Sequence, residues 1–345
     1  MSQETFGRIL LGTADDLGRA HARWQQQAVD WDLTNGHSPA PAHRQRTIAR
    51  PVSVAGPGTF LGKATRTLRF EPTNEPGWWF SREDLGGDCL PVAGSIRNVW
   101  TIGDVVSNIV LRSGHPSNYI RMVEHVIALR LGLGIDNLMI RMESGDPPLF
   151  KRGSLDLIDA LEGAGIVEQD LPVNYFTVKE KVSVVTPSGS FLILSPCRPG
   201  ELVLNLDCAV DFPTAIGRQR IRFPLTLEHF KYGAEARTNT SFAKMLFCKT
   251  IGKLFADIRN LGYTMDNILV AGKSGYLNEA RLVHDGKSLE AVWHRAVLDL
   301  VAALALVENG RFAGDVVSYC AGHGLDCHMV RLLYKHNLLQ RVAPA

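Results

Sequence analysis

The 345-residue sequence lacks the motifs that mark several large enzyme classes. It contains no G-x-G-x-x-G, no P-loop pattern, no G-x-S-x-G elbow and no H-E-x-x-H pair. These absences argue against a nucleotide-cofactor oxidoreductase, a P-loop enzyme, a common serine hydrolase and a helical metalloprotease.

The sequence also has no large excess of positive or negative charge, no closely paired cysteines and no long apolar run. The net charge is +2, which predicts no nucleic-acid partner. None of the six cysteines forms a C-x-x-C pair, which indicates reduced thiols in a cytoplasmic protein. The first residues carry no basic stretch followed by an apolar one, and Leu300–Val307 is far shorter than the roughly 20 residues of a membrane span. We therefore expect a cytoplasmic monomer without an integral membrane segment.

What is present is typical of a globular protein, with 45% hydrophobic and 21% charged residues. Residues 1–44 are interpreted as an N-terminal extension and linker, with a helical pattern over Ile9–Trp24 before a proline-rich stretch. That helix could also dock on the body of the protein. Beyond it, strands followed by helices occur twice, which predicts an α+β fold with domains over 45–170 and 171–345.

The apolar periodicity predicts six helices in these two domains. They cover Ile120–Leu133, Ser154–Ala164, Leu225–Arg237, Phe242–Asn260, Leu289–Val307 and Asp326–Leu339.

Glu124 and His125 are the first candidate site residues. Neighbours on a helix diverge by about 100°, so one can hold a metal while the other meets the metal's water. An exposed charged pair is the ordinary alternative for such a dipeptide.

His294 and Asp299 lie on one predicted helix. Their spacing of five residues leaves them about 140° apart in a regular α-helix, so they would not converge. A one-residue π-bulge would restore convergence, and such bulges are frequent at functional sites. An exposed histidine and a capping or paired aspartate are the alternative.

His323 stands between two glycines before the last helix and could act as a general acid. It could equally be a turn histidine, or pair with Cys327 on a metal. Thr238, in the segment EARTN, could donate a hydrogen bond to an oxyanion or simply cap a turn.

Taken in order, these segments resemble the zinc-dependent UDP-3-O-acyl-N-acetylglucosamine deacetylases of lipid A synthesis. The resemblance runs from about Gln45 to Leu339. It rests on QRTIARPVSVAGPGTFLGK, VEHVIALRLGLGIDN, EGAGIVEQ, AIGRQ, EARTN, MDNILV, YLNE, LDLVAALAL and AGHGLD.

The resemblance implies two similar domains, each a small sheet with two helices, packed helix against helix as a β-α-α-β sandwich. It implies an active site between the domains and an acylated UDP-sugar as substrate. It implies that Zn²⁺ is the cofactor and that the activity is amide hydrolysis. The implied ligands are His125, His294 and Asp299. The implied catalytic residues are Glu124 as general base, Thr238 as oxyanion donor and His323 as general acid.

The sequence departs from the family at several positions. Phe60 replaces a histidine, Ala303 replaces the aspartate that pairs with the catalytic histidine, and the segment from Phe150 to Ser154 replaces M-D-G-S. An ungapped alignment puts Arg295 at the second zinc histidine, whereas one inserted residue before Asp299 keeps His294.

Three hypotheses remain open at the level of the sequence. The first is a zinc deacetylase acting on the family substrate. The second is a diverged paralogue that hydrolyses another acyl or amide substrate in a specialised pathway. The third is a catalytically dead relative with a binding role.

Overall fold

The computed structural model describes residues 3–35, 39–60, 64–87, 89–102, 108–241, 245–247, 250 and 262–343. The predicted α+β class is confirmed. Its helices are α1 Gln3–Phe6, α2 Ala14–Gln25, α3 Glu124–Gly132, α4 Leu155–Gly163, α5 Leu227–Ala234, α6 Glu290–His294, α7 Val301–Ala305 and α8 His323–Lys335, and a π-helical segment, Arg295–Leu300, joins α6 to α7.

The strands are β1 Arg8–Leu11, β2 Trp31–Asp32, β3 Arg44–Ile48, β4 Val52–Pro57, β5 Thr65–Pro72, β6 Trp78–Arg82, β7 Val92–Ala93, β8 Val99–Ile102, β9 Ile109–Arg112, β10 Tyr119–Ile120, β11 Leu138–Met142, β12 Ile166–Pro172, β13 Tyr175–Val178, β14 Val182–Val185, β15 Phe191–Ser195, β16 Leu204–Phe212, β17 Gly217–Pro224, β18 Thr238–Ser241, β19 Ile268–Ala271, β20 Val283–His284, β21 Lys287–Ser288, β22 Arg311–Phe312, β23 Gly314–Tyr319 and β24 Leu339–Val342.

The first half of the chain forms a five-stranded sheet in the order β4-β5-β11-β6-β7. In its central strand Leu138, Ile140 and Met142 are buried, while the residues between them are partly exposed. Successive side chains of a strand point to opposite faces, so this alternation buries one face of the sheet and leaves the other toward solvent.

The second half is built on a seven-stranded sheet in the order β1-β14-β15-β23-β16-β17-β2. Strands β14 and β15 are buried at almost every position. A continuous apolar strand of this kind is covered on both faces. Short two- and three-stranded sheets complete the fold, among them β8–β9–β10 and the parallel pair β18–β19.

Helices α3 to α8 pack on one another and on the two large sheets. Helix α3 runs along α7 and the π-helical segment, and α5 contacts α3, α4 and the π-helical segment. Two glycines permit this close approach. A Cβ on Gly132 would lie 2.3 Å from the ring of Phe230, and one on Gly233 would lie 2.7 Å from Trp293. The site therefore forms where helices from both halves meet.

Residues 3–35, here called the N-terminal segment, belong to the second sheet. Strand β1 pairs in parallel with β14 at one edge, and β2 pairs in parallel with β17 at the other. Between these strands, α2 crosses the outer face of the sheet. Leu17 and Ala20 of α2, together with Phe6 of α1, are buried against side chains of β14, β15, β16 and β23. This contact explains why the strands in the middle of the sheet are apolar on both faces.

The predicted helix over Ile9–Trp24 is wrong in its first part. Ile9 and Leu10 lie in β1, and the helix begins only at Ala14, where the Thr13 hydroxyl accepts a hydrogen bond from the Asp16 amide at 3.1 Å. Gly12 separates the two elements with φ = 85°, a left-handed conformation that favours glycine.

The other helix predictions fare better. Those over Ile120–Leu133, Ser154–Ala164 and Leu225–Arg237 are confirmed with shorter bounds. The helix predicted over Asp326–Leu339 is present but begins earlier, at His323, and ends at Lys335. Leu289–Val307 is helical but contains the π-helical segment. Most of the prediction for Phe242–Asn260 lies outside the described residues.

Candidate active site

Glu124 opens α3 and is almost completely buried, at 1% exposed. Its Oε2 accepts a hydrogen bond from the Ile109 amide at 2.9 Å, which fixes the carboxylate and leaves Oε1 for other partners. Burial raises the pKa of Glu124.

His125, the next residue, is half-buried and lines the cleft between the halves. Burial, aided by the neighbouring His294, lowers the pKa of His125 to about 3. Its imidazole is therefore neutral near pH 7, which is the form that binds metals.

The π-helical segment brings His294 and Asp299 together. His294 Nδ1 lies 3.3 Å from Asp299 Oδ1, although five residues separate them. A π-helix bonds residue i to residue i+5, so it aligns side chains that a regular α-helix would turn apart. The ring centroids of His125 and His294 are 5.5 Å apart, so the three side chains converge from α3 and from the helix of the second half.

Thr238 meets the same group from the start of β18, with its Oγ1 3.2 Å from His294 Nε2. A buried ion pair holds it there. Arg237 donates through Nε to Glu290 Oε1 at 2.7 Å, and its backbone amide reaches the same oxygen at 3.0 Å. Glu290 is the first residue of α6, so the pair fixes Thr238 to the helix that carries His294.

His323 begins α8, and its ring is buried beside the other candidates. Its Nε2 lies 3.2 Å from Asp299 Oδ1 and 3.9 Å from Glu124 Oε1. Its Nδ1 has no hydrogen-bond partner among the described residues. Ala303 occupies the position of the aspartate that is expected to pair with the catalytic histidine, and its side chain is apolar and fully buried.

The sequence reasoning missed the role of Arg295. Its guanidinium donates to Ser318 Oγ at 3.2 Å and to the carboxylate of Asp326. Both members of this ion pair are buried. Burial raises the pKa of Asp326 to about 6, although Arg295 opposes the shift. The ion pair connects the π-helical segment to α8 at a position three residues after His323. In the sequence, the two partners are visible only as two charged residues far apart in the chain.

Phe60 and Cys327 hold structural positions. The Arg121 guanidinium lies 3.8 Å from the ring centroid of Phe60, whose amide donates to Asp146. Cys327 is fully buried, and burial raises the pKa of its thiol, which disfavours the thiolate that binds metals.

The donor set fits a zinc ion. Two imidazoles and one carboxylate are the ligands of many catalytic zinc sites. The buried Asp299 Oδ1 approaches two ring nitrogens but has no hydrogen-bond partner in the described residues, and such an oxygen needs a cation nearby. Burial acts to raise the pKa of Asp299, but the charges of His323, His294 and Arg295 outweigh it and lower the pKa. The described side chains do not form a preformed metal cage, because His294 Nε2 faces the Thr238 hydroxyl.

A cleft adjoins these residues. Its walls come from both halves of the chain. They include Thr59, His125, Pro147, Pro148, Leu149, Phe150, Leu157, Arg237, Thr238 and Asn267.

Comparison with known proteins decides the family. The sequence model of the LpxC family, UDP-3-O-acyl N-acetylglycosamine deacetylase, matches residues 45–335. The chain belongs to this family. A protein named UDP-3-O-acyl-N-acetylglucosamine deacetylase from Brucella abortus is 30% identical over 294 residues, which cover 84% of this chain and 94% of that protein. The protein of that name from Aliarcobacter butzleri is 26% identical over 294 residues, 85% of this chain and 90% of the relative.

The N-terminal segment lies outside the region that the deacetylase family model matches. Within the described ranges, no helix is long and apolar enough to cross a membrane. The six sequence-predicted site residues, Glu124, His125, Thr238, His294, Asp299 and His323, do lie close together. Of these six, His125 and Thr238 line the cleft between the halves.

The packing of α5 against α6 and the π-helical segment leads to a stability prediction. Gly233→Ala would place a methyl group 2.7 Å from Trp293 and from Val297, so the free energy of unfolding should fall by about 1–3 kcal/mol. Gly163→Ala is the matched control, since its Cβ meets no atom within 4 Å and the change should be neutral or slightly stabilising. Urea denaturation measures both, and equal stability of the two variants would contradict the packing argument.

Proposed function

We propose that this protein is a zinc-dependent deacetylase that removes the N-acetyl group of an acylated UDP-glucosamine in lipid A biosynthesis. The observation that carries the proposal is the convergence of His294 and Asp299 through the π-helical segment, opposite His125 and beside Glu124. Family membership supplies the reaction class, and the names of the relatives supply the substrate.

His125, His294 and Asp299 would hold the metal. When bound there, Zn²⁺ would polarise the amide carbonyl and acidify a water molecule. The low pKa of His125 and the lowered pKa of His294 keep both rings neutral and able to bind the ion.

Glu124 acts as the general base in this proposal. Its Oε2 is committed to the Ile109 amide, so Oε1 takes the proton from the attacking water. Burial raises the pKa of Glu124, which makes it a stronger base than an exposed carboxylate.

His323 and Thr238 act on the collapsing amide. The Thr238 hydroxyl donates a hydrogen bond to the oxygen that gains negative charge. As the C–N bond breaks, His323 Nε2 gives a proton to the leaving nitrogen, so the products are acetate and a free amine. The Oε1 atom of Glu124, 3.9 Å away, then returns its proton to His323.

The decisive experiment measures acetate release from UDP-3-O-acyl-N-acetylglucosamine together with the metal content of the purified protein. We expect about one zinc per chain, as a three-ligand catalytic site holds, and acetate release that stops on chelation and returns with added zinc. Acetate release that persists without metal would contradict the zinc mechanism.

A second candidate function is hydrolysis of a different acyl or amide substrate. Phe60 packed under Arg121 favours it, because an aromatic–cation pair stands where the family has a histidine. In this case the protein would hold zinc but release no acetate from the family substrate. A protein that holds no zinc when the metal is supplied would instead be a binding protein.

A further inference from the structure

Trp31 links the N-terminal segment to the helices behind the candidate site. Its ring stacks on His284 with centroids 4.2 Å apart and planes at 9°. It also meets Tyr232 of α5 edge-on at 5.2 Å and Trp293 of α6 edge-on at 5.9 Å. The ring thus contacts two different helices and the β20–β21 hairpin.

Those two helices lead directly to site residues. Trp293 is followed by His294, and Tyr232 lies in the helix that ends just before Arg237 and Thr238. The rings of Tyr232 and Trp293 are themselves 5.1 Å apart, so Trp31, Tyr232 and Trp293 form a cluster of three mutually contacting rings.

The backbone around Trp31 is fixed by polar contacts on both sides. Asp30 accepts a hydrogen bond from the Arg220 amide at 2.8 Å and from Lys287 Nζ at 2.6 Å. The Leu33 amide donates to the Arg222 carbonyl at 2.7 Å. These bonds hold β2 against β17, so the Trp31 ring is presented from a rigid edge strand.

We infer that Trp31 is a positioning residue for the metal site, acting through Trp293 and Tyr232 on His294 and Thr238. The inference rests on the proposed zinc function and adds a residue from outside the family-matched region 45–335. A zinc site requires its ligands to be held in place by the groups behind them, and loss of such support typically weakens metal binding by about 10–100-fold.

The test compares zinc affinity, measured by competition with a chelator, in the wild type and in Trp31→Ala. We expect about tenfold weaker zinc binding in the variant, the lower end of the range for supporting residues, and partial recovery in Trp31→Phe, whose ring reaches part of the cluster. With zinc in excess, kcat should fall while KM changes little, because Trp31 itself does not line the substrate cleft. If Trp31→Ala does not fold, Trp31→Leu keeps apolar bulk without the ring and should bind zinc at least about threefold more weakly.

Trp79→Ala is the matched control. Trp79 is a half-buried tryptophan of β6 in the other sheet, hydrogen-bonded to the Pro76 carbonyl at 3.0 Å, so its loss should lower stability and leave zinc affinity unchanged. Equal zinc affinity in the wild type, Trp31→Ala and Trp31→Leu would overturn the positioning role. Equal weakening in Trp31→Ala and Trp79→Ala would also overturn it, since the effect would then follow stability alone. A wild type that holds no zinc would instead remove the proposed function and this inference with it.

Discussion

Replacing Glu124 by alanine is expected to lower kcat for acetate release by about 10²-fold or more, while zinc stays bound. Glu124 contributes a proton acceptor and is outside the proposed ligand set, so the metal loses none of its donors. Its carboxylate is fixed by the Ile109 amide and faces His323, and alanine supplies no atom that could take a proton in that position. Steady-state kinetics and elemental analysis of the same sample measure the two effects.

Glu143→Ala controls for the loss of a carboxylate, because Glu143 is an exposed residue just after β11. Its turnover should match that of the wild type. If Glu124→Ala kept full turnover, the role of general base would have to be given to another residue. If it lost zinc, the carboxylate would belong to the ligand set.

Replacing His294 by alanine should abolish tight zinc binding. Loss of a supporting residue weakens a metal site by about 10–100-fold, so loss of a ligand should exceed about 10²-fold. Turnover should disappear with the metal. The readout is zinc retained after dialysis against a chelator, compared with His328→Ala, which removes a histidine of α8 outside the candidate site.

The same measurement separates the two alignments of the late helix. In Arg295→Ala the buried Asp326 loses its partner, which should cost about 3–5 kcal/mol of stability, but the folded protein should retain zinc. Zinc retained in His294→Ala and lost in Arg295→Ala would contradict the ligand set proposed for the π-helical segment.

Local patterns in the sequence predicted a large part of the fold. The helices that begin at Glu124 and at Leu155 follow from apolar periodicity, and the α+β class follows from the order of strands and helices. The five-residue spacing of His294 and Asp299 pointed to a π-bulge, and a π-helical segment is present between them. These features depend on residues close together in the chain, where periodicity is informative.

Features that depend on distant residues could not be derived in this way. No local pattern shows that Arg295 would meet Asp326, or that His323 would have Asp299 and Glu124 as its neighbours. The strand at Ile9 was mistaken for helix because its partner, β14, lies far along the chain. Tertiary contacts of this kind override local propensity. The roles of the six site residues stay predictions until the variants are measured.

The two edge strands of the second sheet also set an order for folding during synthesis. Phe6 bonds to Ser183 across 177 residues, and Asp30 bonds to Arg220 across 190. The ribosome releases the N-terminal segment first, yet β1 has no partner until β14 has emerged, and β2 has none until β17 has emerged. Contacts of such long range form slowly, because the intervening chain must be closed into a loop before they contribute. The earliest residues made are therefore among the last to reach their final place, and until then the first strands are accessible to chaperones and proteases.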